Sequence, residues 1–247
     1  MQKFELDVNI NSIVIQLSFR VKGDLWHLHK NCVFFCACLQ NMRTHHKEAF
    51  DRIPDSRREK ILDVGIDEFA EKGYEKANIN VIAQKAGISI GLMYKYFSTK
   101  EDLFITCVNH GMEILDATLN HIMQSNERLL KKAEMLIRAT CLHSRKNAKY
   151  IKIYNEISAE KDTARADLFA REIETSTSRL YIQAITDAQS AGDIRQDADP
   201  KVFAFFLDNL LTTLQFSYTC EYYRQRFRLY TGIDVAEMDD EVIIREL

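Results

Sequence analysis

Proline and glycine are scarce in this chain, with 2 and 8 among 247 residues, and there is a single tryptophan. An all-β sandwich needs many turns, and turns are built largely from glycine and proline. The composition therefore disfavours an all-β fold and favours a mostly helical one. Apolar residues make up 46% of the chain, which is enough to fill a sizeable core.

Long apolar runs are also lacking. No uninterrupted stretch approaches the ~20 apolar residues that a membrane-spanning helix requires, and the N-terminus lacks the basic region and apolar run of a signal peptide. We therefore expect a cytoplasmic protein with no membrane partner and with six reduced cysteines. The net charge of −3 excludes little, because nucleic-acid binding depends on where the charge lies.

Residues 1–41 differ from the rest of the chain. Apolar side chains alternate with period two over residues 4–10 and again over residues 13–21, a pattern typical of a β-hairpin. An isolated hairpin is marginal in water. We expect an atypical extension that is poorly ordered, or a start codon assigned upstream of a true start at Met42; an extra folded module is the alternative.

The same extension holds five possible zinc ligands, namely His27, His29, Cys32, Cys36 and Cys38. Structural zinc sites usually contain closely spaced cysteine pairs such as C-x2-C, and no such pair occurs here. Buried apolar cysteines are the commoner outcome. We therefore predict neither a metal site nor a cofactor.

From Ser56 onward the apolar residues recur at helical spacing. Ser56-x-x-Glu59 and Ser98-x-x-Glu101 both match the capping-box pattern, and Asn78 and Ser89 precede two shorter helices as N-caps. The glycines at 73 and 87 are expected to end the first and second helices. Further helices are predicted at roughly 127–144, 147–160, 164–190 and 200–229, and a last one from about Val235.

The segment "GISIG" at residues 87–91 matches G-x-S-x-G, the nucleophile elbow of serine hydrolases, with Ser89 as nucleophile. That elbow requires a β-strand before the serine and a helix after it. The preceding "VIAQKA" has helical rather than alternating spacing, and no series of βα units is present. A serine hydrolase is therefore an unfavoured alternative, and we predict that the protein is not an enzyme.

The same residues fit a helix-turn-helix motif over residues 78–97. Two short helices flank Gly87, which tolerates the positive φ of a tight turn. Ile79, Ile82, Ala83 and Ala86 are expected to face inward from the first helix, and Ile90, Met93 and Phe97 from the second. Residues 76–100 contain four lysines and no acidic residue, which suits contact with phosphate.

The segment "YEKANINVIAQKAGISIGLMYKYFSTKEDLF" resembles the DNA-binding segment of the tetracycline-repressor (TetR) family. Similar features are Gly73-Tyr74, Ile82-Ala83, Ala86-Gly87-Ile88-Ser89, Gly91, Met93-Tyr94, Tyr96-Phe97 and Lys100-Glu101-x-Leu103. The resemblance covers about 60 residues, from Ser56 to about Leu115. It implies an all-α fold, with a helix-turn-helix DNA-binding domain at residues 52–115 and a helical ligand-binding and dimerisation domain at residues 116–247.

The resemblance also implies a set of DNA-binding residues, which are Asn78, Asn80, Ser89, Ile90, Gly91, Leu92, Tyr94, Lys95, Tyr96 and Lys100. Gly91 would allow close approach to the DNA backbone, Leu92 could contact a thymine methyl group, and Lys95 would contact phosphate. Two departures from the family pattern affect operator sequence. Ile90 stands where many members carry lysine, and asparagines at 78 and 80 replace threonine and arginine.

The family resemblance further implies a homodimeric repressor that a small-molecule inducer releases from a pseudo-palindromic operator. An activator without an inducer is an alternative that the sequence does not separate from it. The apolar helix at residues 200–229 would be buried on more than one side, facing a second copy. Weak candidates for the inducer pocket are Cys141, His143, Tyr150, Tyr154, Phe169 and Tyr181.

Overall fold

The computed structural model describes residues 44–247, apart from the side chain of residue 114. The predicted extension at residues 1–41, with its hairpin and its zinc candidates, lies outside the described residues. The fold is all-α. The helices of the described part are α1 Glu48–Asp51, α2 Asp55–Lys76, α3 Ile79–Ala86, α4 Ile90–Tyr96, α5 Lys100–Met123, α6 Leu129–Lys146, α7 Ala148–Ser158, α8 Thr163–Ser190, α9 Pro200–Thr219, α10 Glu221–Thr231 and α11 Asp240–Glu246.

Both predicted capping boxes are wrong. The N-cap of α2 is Pro54, two residues before the predicted cap Ser56, and the Pro54 carbonyl accepts from the backbone N–H groups of Arg57 and Arg58, so Ser56 lies inside the helix. Helix α5 begins one residue later, and Thr99 and Asp102 form the reciprocal box at 3.0 and 3.1 Å. The segment "STKED" contains the pattern in two registers, and the structure uses the second.

Two predicted helices near the C-terminus differ from the structure. The predicted helix 200–229 is interrupted at Cys220, whose extended backbone (φ −106°, ψ 119°) separates α9 from α10. The last helix begins at Asp240 rather than near Val235, with the Asp239 side chain accepting from the Glu241 N–H. Val235 is fully buried in the preceding turn. Its apolar side chain therefore packs in the core without belonging to a helix.

Two hydrophobic clusters fill the described part of the chain. The first joins α1 to α5 with the facing sides of α7 and α8, and the second joins α5, α6, α8, α9 and α11. Helix α5 crosses the boundary predicted at residues 115 and 116, contributing Leu103 to the first cluster and Leu119 to the second. No helix in the described residues is long and apolar enough to cross a membrane.

Gly73 ends the regular part of α2 in a conformation that favours glycine (φ 73°, ψ 165°), as its predicted role at the helix end requires. A Cβ at this position would collide with the Glu156 carboxylate of α7. We expect Gly73→Ala to lower the free energy of unfolding by about 1–3 kcal/mol from backbone strain, plus the cost of displacing Glu156. Urea denaturation would measure this change.

The matched control is Gly192→Ala. Gly192 also has a positive φ (76°), but a Cβ there would have no neighbour within 4 Å. This variant isolates the cost of a positive φ without a contact. Equal losses of stability for both variants would contradict a role for the contact between α2 and α7.

Candidate DNA-binding interface

The helix-turn-helix is closed by backbone and side-chain caps. The Asn78 side chain accepts from the Asn80 N–H at 2.9 Å, Gly87 ends α3 in the left-handed conformation (φ 75°, ψ 33°), and the Ser89 hydroxyl accepts from the Leu92 N–H at 3.2 Å. The predicted caps at Asn78 and Ser89 are confirmed. Because α3, a helix, precedes Ser89, the geometry of a hydrolase elbow is absent at this serine.

Helix α4 buries two of the three residues predicted to face inward. Met93, Tyr96 and Phe97 are buried, whereas Ile90 is 37% exposed. The prediction that Ile90 faces the core is wrong, and Tyr96, at 3% exposure, is not available for the predicted contact with DNA. Both rings at 96 and 97 pack against Phe50 of α1, with centroids 5.6 and 4.8 Å away, and this contact sets the rotation of α4.

The exposed face of α4 therefore consists of Ser89, Ile90, Gly91, Tyr94 and Lys95. Tyr94 is 47% exposed. A Cβ at Gly91 would meet only the Ser89 hydroxyl, at 4.0 Å, so the backbone here is open to a close approach.

Two other predicted contacts flank this surface. Asn80 is exposed at the start of α3. Leu92 is partly buried and packs against the first hydrophobic cluster, which leaves only part of its side chain for a thymine methyl group.

Lys100 is turned inward, contrary to the prediction that it contacts DNA. Its ammonium donates to the carbonyls of Tyr74, Glu75 and Ala77 at 2.7, 3.1 and 3.4 Å. These three bonds use all the donors of a lysine. The ammonium also lies 4.7 Å from the centre of the Tyr74 ring, so Lys100 fastens the end of α2 rather than facing outward.

The four lysines of residues 76–100 do not contribute equally to the positive charge at the surface of the motif. Lys85 pairs with the buried carboxylate of Glu68 at 3.0 Å, which reduces its contribution to an external field. Lys76 and Lys95 have no charged partner among residues 44–247, and Lys60 of α2 lies 3.7 Å from the position of a Cβ on Gly87. Lys60, Lys76 and Lys95 are all exposed.

Lys47 and Lys60 lie near the helix-turn-helix but were not among the predicted DNA-binding residues. The Lys47 ammonium donates to the Tyr94 carbonyl at 2.8 Å, and its backbone N–H donates to the Tyr96 carbonyl at 2.8 Å. Lys47 therefore supports the carbonyl end of α4, where a cation is favoured. The basic run "RREK" at residues 57–60 was the only sequence signal for Lys60, and nothing in it predicts proximity to Gly87.

The six candidates for the inducer pocket do not converge on one site. Phe169, Tyr150 and Tyr154 pack in or against the first hydrophobic cluster, and Cys141 and Tyr181 belong to the second. Burial lowers the pKa of His143 and raises the pKa of Tyr150 to about 12.

No three His, Cys, Asp or Glu side chains within residues 44–247 are arranged to bind a metal. The N-terminal zinc candidates fall outside that range.

A family model for bacterial regulatory proteins of the tetR family matches residues 61–107. The HTH-type transcriptional regulator HbdR of Aromatoleum sp. (strain CIB) is 27% identical over 150 residues, which cover 58% of this chain and 62% of that protein. The chain thus spans less than two thirds of this relative's length.

Two solved structures share the fold. FadR from Bacillus subtilis in complex with stearoyl-CoA superposes with a TM-score of 0.62 at 16% identity, covering 76% of this chain and 94% of that one. AibR in complex with isovaleryl coenzyme A and operator DNA superposes with a TM-score of 0.57 at 21% identity, covering 77% and 95%. At these identities the likeness concerns the arrangement of helices.

Proposed function

We propose that this chain, whose residues 61–107 match the model for bacterial regulatory proteins of the tetR family, is a DNA-binding transcriptional regulator of that family, and that it acts as a homodimeric repressor released from a pseudo-palindromic operator by a small-molecule inducer. The observation that carries the proposal is the exposed face of α4. It combines an open backbone at Gly91 with the side chains of Tyr94 and Lys95, while the opposite face is locked into the core.

The chemistry of each exposed side chain indicates which part of the DNA it would contact. Ile90 and Tyr94 offer apolar and hydroxyl groups to base edges in the major groove. Lys95 supplies a cation for phosphate, and the exposed side chains of Lys60 and Lys76 add positive charge to the same domain. Asn80 and Ser89 add polar contacts at the N-termini of α3 and α4, where backbone N–H groups favour phosphate.

Dimerisation is supported by an apolar surface on α9 and α10. Phe205 and Phe206 are 62% and 66% exposed on α9, and Leu229 and Tyr230 are 85% and 82% exposed on α10. Exposed apolar groups of this size, gathered on neighbouring helices, are typical of protein–protein contacts. A second copy related by a two-fold axis would cover them and place two α4 helices about one DNA turn, ~34 Å, apart.

Contacts between the helix-turn-helix and the larger helical half provide a route for the inducer signal. Arg165 of α8 donates to Glu75 at 2.8 Å and lies 5.4 Å from the Tyr74 ring centre. Lys149 of α7 pairs with Asp67 of α2. An inducer that favours a different placement of α7 and α8 would shift operator affinity through these contacts, by no more than its differential affinity for the two states.

The proposal is tested by nuclease footprinting on the DNA upstream of the coding sequence. We expect protection of two half-sites on one face of the duplex, and an affinity that falls steeply as salt rises, because phosphate contacts release counterions. Binding to DNA of any sequence, with no protected half-sites, would contradict the proposal of a repressor and would indicate a non-specific DNA-binding protein.

A further inference from the structure

The ring of His45 lies between two carboxylates that come from different helices. Its Nδ1 lies 3.7 Å from Oδ1 of Asp102, at the start of α5, and its Nε2 lies 3.5 Å from Oε1 of Glu172 on α8. Only 13% of the His45 side chain and 11% of the Glu172 side chain are exposed. Within residues 44–247, neither carboxylate has a lysine or arginine within 4.0 Å. The charged groups that face the ring from α5 and α8 are therefore both acidic.

An acceptor faces each nitrogen of the ring. A neutral imidazole carries a hydrogen on one nitrogen and a lone pair on the other, whereas an imidazolium donates from both. Because ionised carboxylates only accept, a neutral ring here turns a lone pair toward one of them. The Nε2 atom is shielded from solvent and makes no hydrogen bond within residues 44–247. A charged ring would form an ion pair with Glu172 there, since an opposite charge within about 4–6 Å favours the charged form.

The segment that follows His45 holds α4 in place. Lys47 donates from its backbone N–H to the Tyr96 carbonyl and from its ammonium to the Tyr94 carbonyl, each at 2.8 Å. The ring of Phe50, in α1, packs against the Tyr96 ring with centroids 5.6 Å apart. A shift of His45 would move these groups and would therefore change the placement of α4.

Asp102 provides a second connection between His45 and α4. Its Oδ2 accepts from the Thr99 N–H at 3.1 Å, in the capping box that opens α5 directly after α4, while its Oδ1 faces the ring. The Thr106 hydroxyl donates to the His45 carbonyl at 3.2 Å, which holds the backbone of His45 against α5. Glu172 adds α8 of the larger helical half, so this junction joins α8 to the residues on both sides of α4.

We propose that His45 is a positioning residue for α4, and that its charged ring, held between Asp102 and Glu172, keeps α4 in the placement that binds the operator. This inference rests on the proposed function, because it adds a regulation of that DNA binding by pH. Histidine changes its charge between about pH 5 and 8. When the ring loses its proton, its contact with one carboxylate becomes repulsive. The DNA-binding placement thus holds more protons than the released one, and operator affinity falls as pH rises.

Fluorescence anisotropy with a labelled operator duplex, at constant salt between about pH 6 and about pH 8, tests this proposal. We expect the affinity of the unchanged chain to fall at least roughly threefold across this range, since each linked proton contributes up to about tenfold per pH unit. His45→Gln and Glu172→Gln should each lose most of this change. The matched control is Asp167→Asn, which removes an exposed carboxylate of α8 that pairs with Arg171 and should keep the pH dependence.

His46, the next residue, is a separate source of pH dependence and needs its own control. Its Nε2 lies 2.7 Å from Oδ1 of Asp51, and its ring centroid lies 5.2 Å from that of Phe50. His46→Gln should leave the pH dependence of operator binding in place. A pH dependence that persists in His45→Gln, or that disappears in His46→Gln alone, would overturn the proposal.

Nuclear magnetic resonance of the full chain without DNA distinguishes failure of this contact from failure of the regulator. The nitrogen shifts of the His45 ring report whether both nitrogens carry hydrogen. At about pH 7, Glu172→Gln should lower the fraction of charged ring, because it removes an opposite charge, and Asp167→Asn should not. A lower fraction in a chain that binds no operator supports the ion pair and overturns the repressor. An unchanged fraction in Glu172→Gln overturns the role of His45 while leaving the repressor intact.

Discussion

Replacing Tyr94 and Lys95 together with alanine should lower operator affinity roughly a hundredfold while the helical content stays unchanged. A base-reading side chain contributes about 1–3 kcal/mol of discrimination, and the lysine contributes a phosphate contact that steepens the salt dependence. Both side chains are exposed on α4, so their removal leaves the core intact. Fluorescence anisotropy with a labelled operator duplex, titrated at several salt concentrations, measures both effects.

Two comparisons separate the contributions. Lys95→Ala alone should reduce the slope of log affinity against log salt by about one, with a similar loss on all sequences. Lys152→Ala removes an exposed lysine of α7, outside the helix-turn-helix, and should leave affinity unchanged. Full operator affinity in the double variant would show that α4 does not face the DNA through Tyr94 and Lys95.

Replacing Phe205 and Phe206 with aspartate should convert the proposed dimer to a monomer and lower operator affinity by about a hundredfold or more. The two rings lie 5.6 Å apart on α9 and are largely exposed. Aspartates there would place like charges against their copies across a two-fold axis. A monomer loses the gain in avidity that two linked half-sites provide, which is roughly a hundredfold or greater.

Light scattering coupled to size-exclusion chromatography measures the mass of this variant, and anisotropy measures its operator affinity. Ala164→Asp/Ala170→Asp changes the charge equally on exposed positions of α8, away from α9 and α10, and should remain a dimer. A dimeric Phe205→Asp/Phe206→Asp protein with normal affinity would place the contact between copies elsewhere.

The helix-turn-helix could be predicted from local sequence because its determinants are local. Asn78, Gly87 and Ser89 each act on backbone groups within a few residues, so residue type and spacing suffice. The capping box of α5 shows where such reasoning fails. The overlapping pairs at 98 and 101 and at 99 and 102 satisfy the same rule, and nothing local distinguishes them.

The rotation of α4 could not be predicted from the sequence of α4 alone. Ile90, Met93 and Phe97 share a helical face, and so do Met93, Tyr96 and Phe97. The second set is buried because Phe50 packs against Tyr96 and Phe97. This contact joins residues more than 45 apart in the chain and comes from a helix that precedes the predicted domain boundary at residue 52.

Selection of genomic DNA fragments by the purified chain, followed by sequencing, tests the central claim most directly. The account predicts enrichment of a few promoter regions that share a pseudo-palindrome, with half-sites about one helical turn apart. Their enrichment should disappear with Tyr94→Ala/Lys95→Ala. Fragments recovered without a common sequence, or recovered equally well by that variant, would contradict the assignment of α4 as the helix that reads an operator.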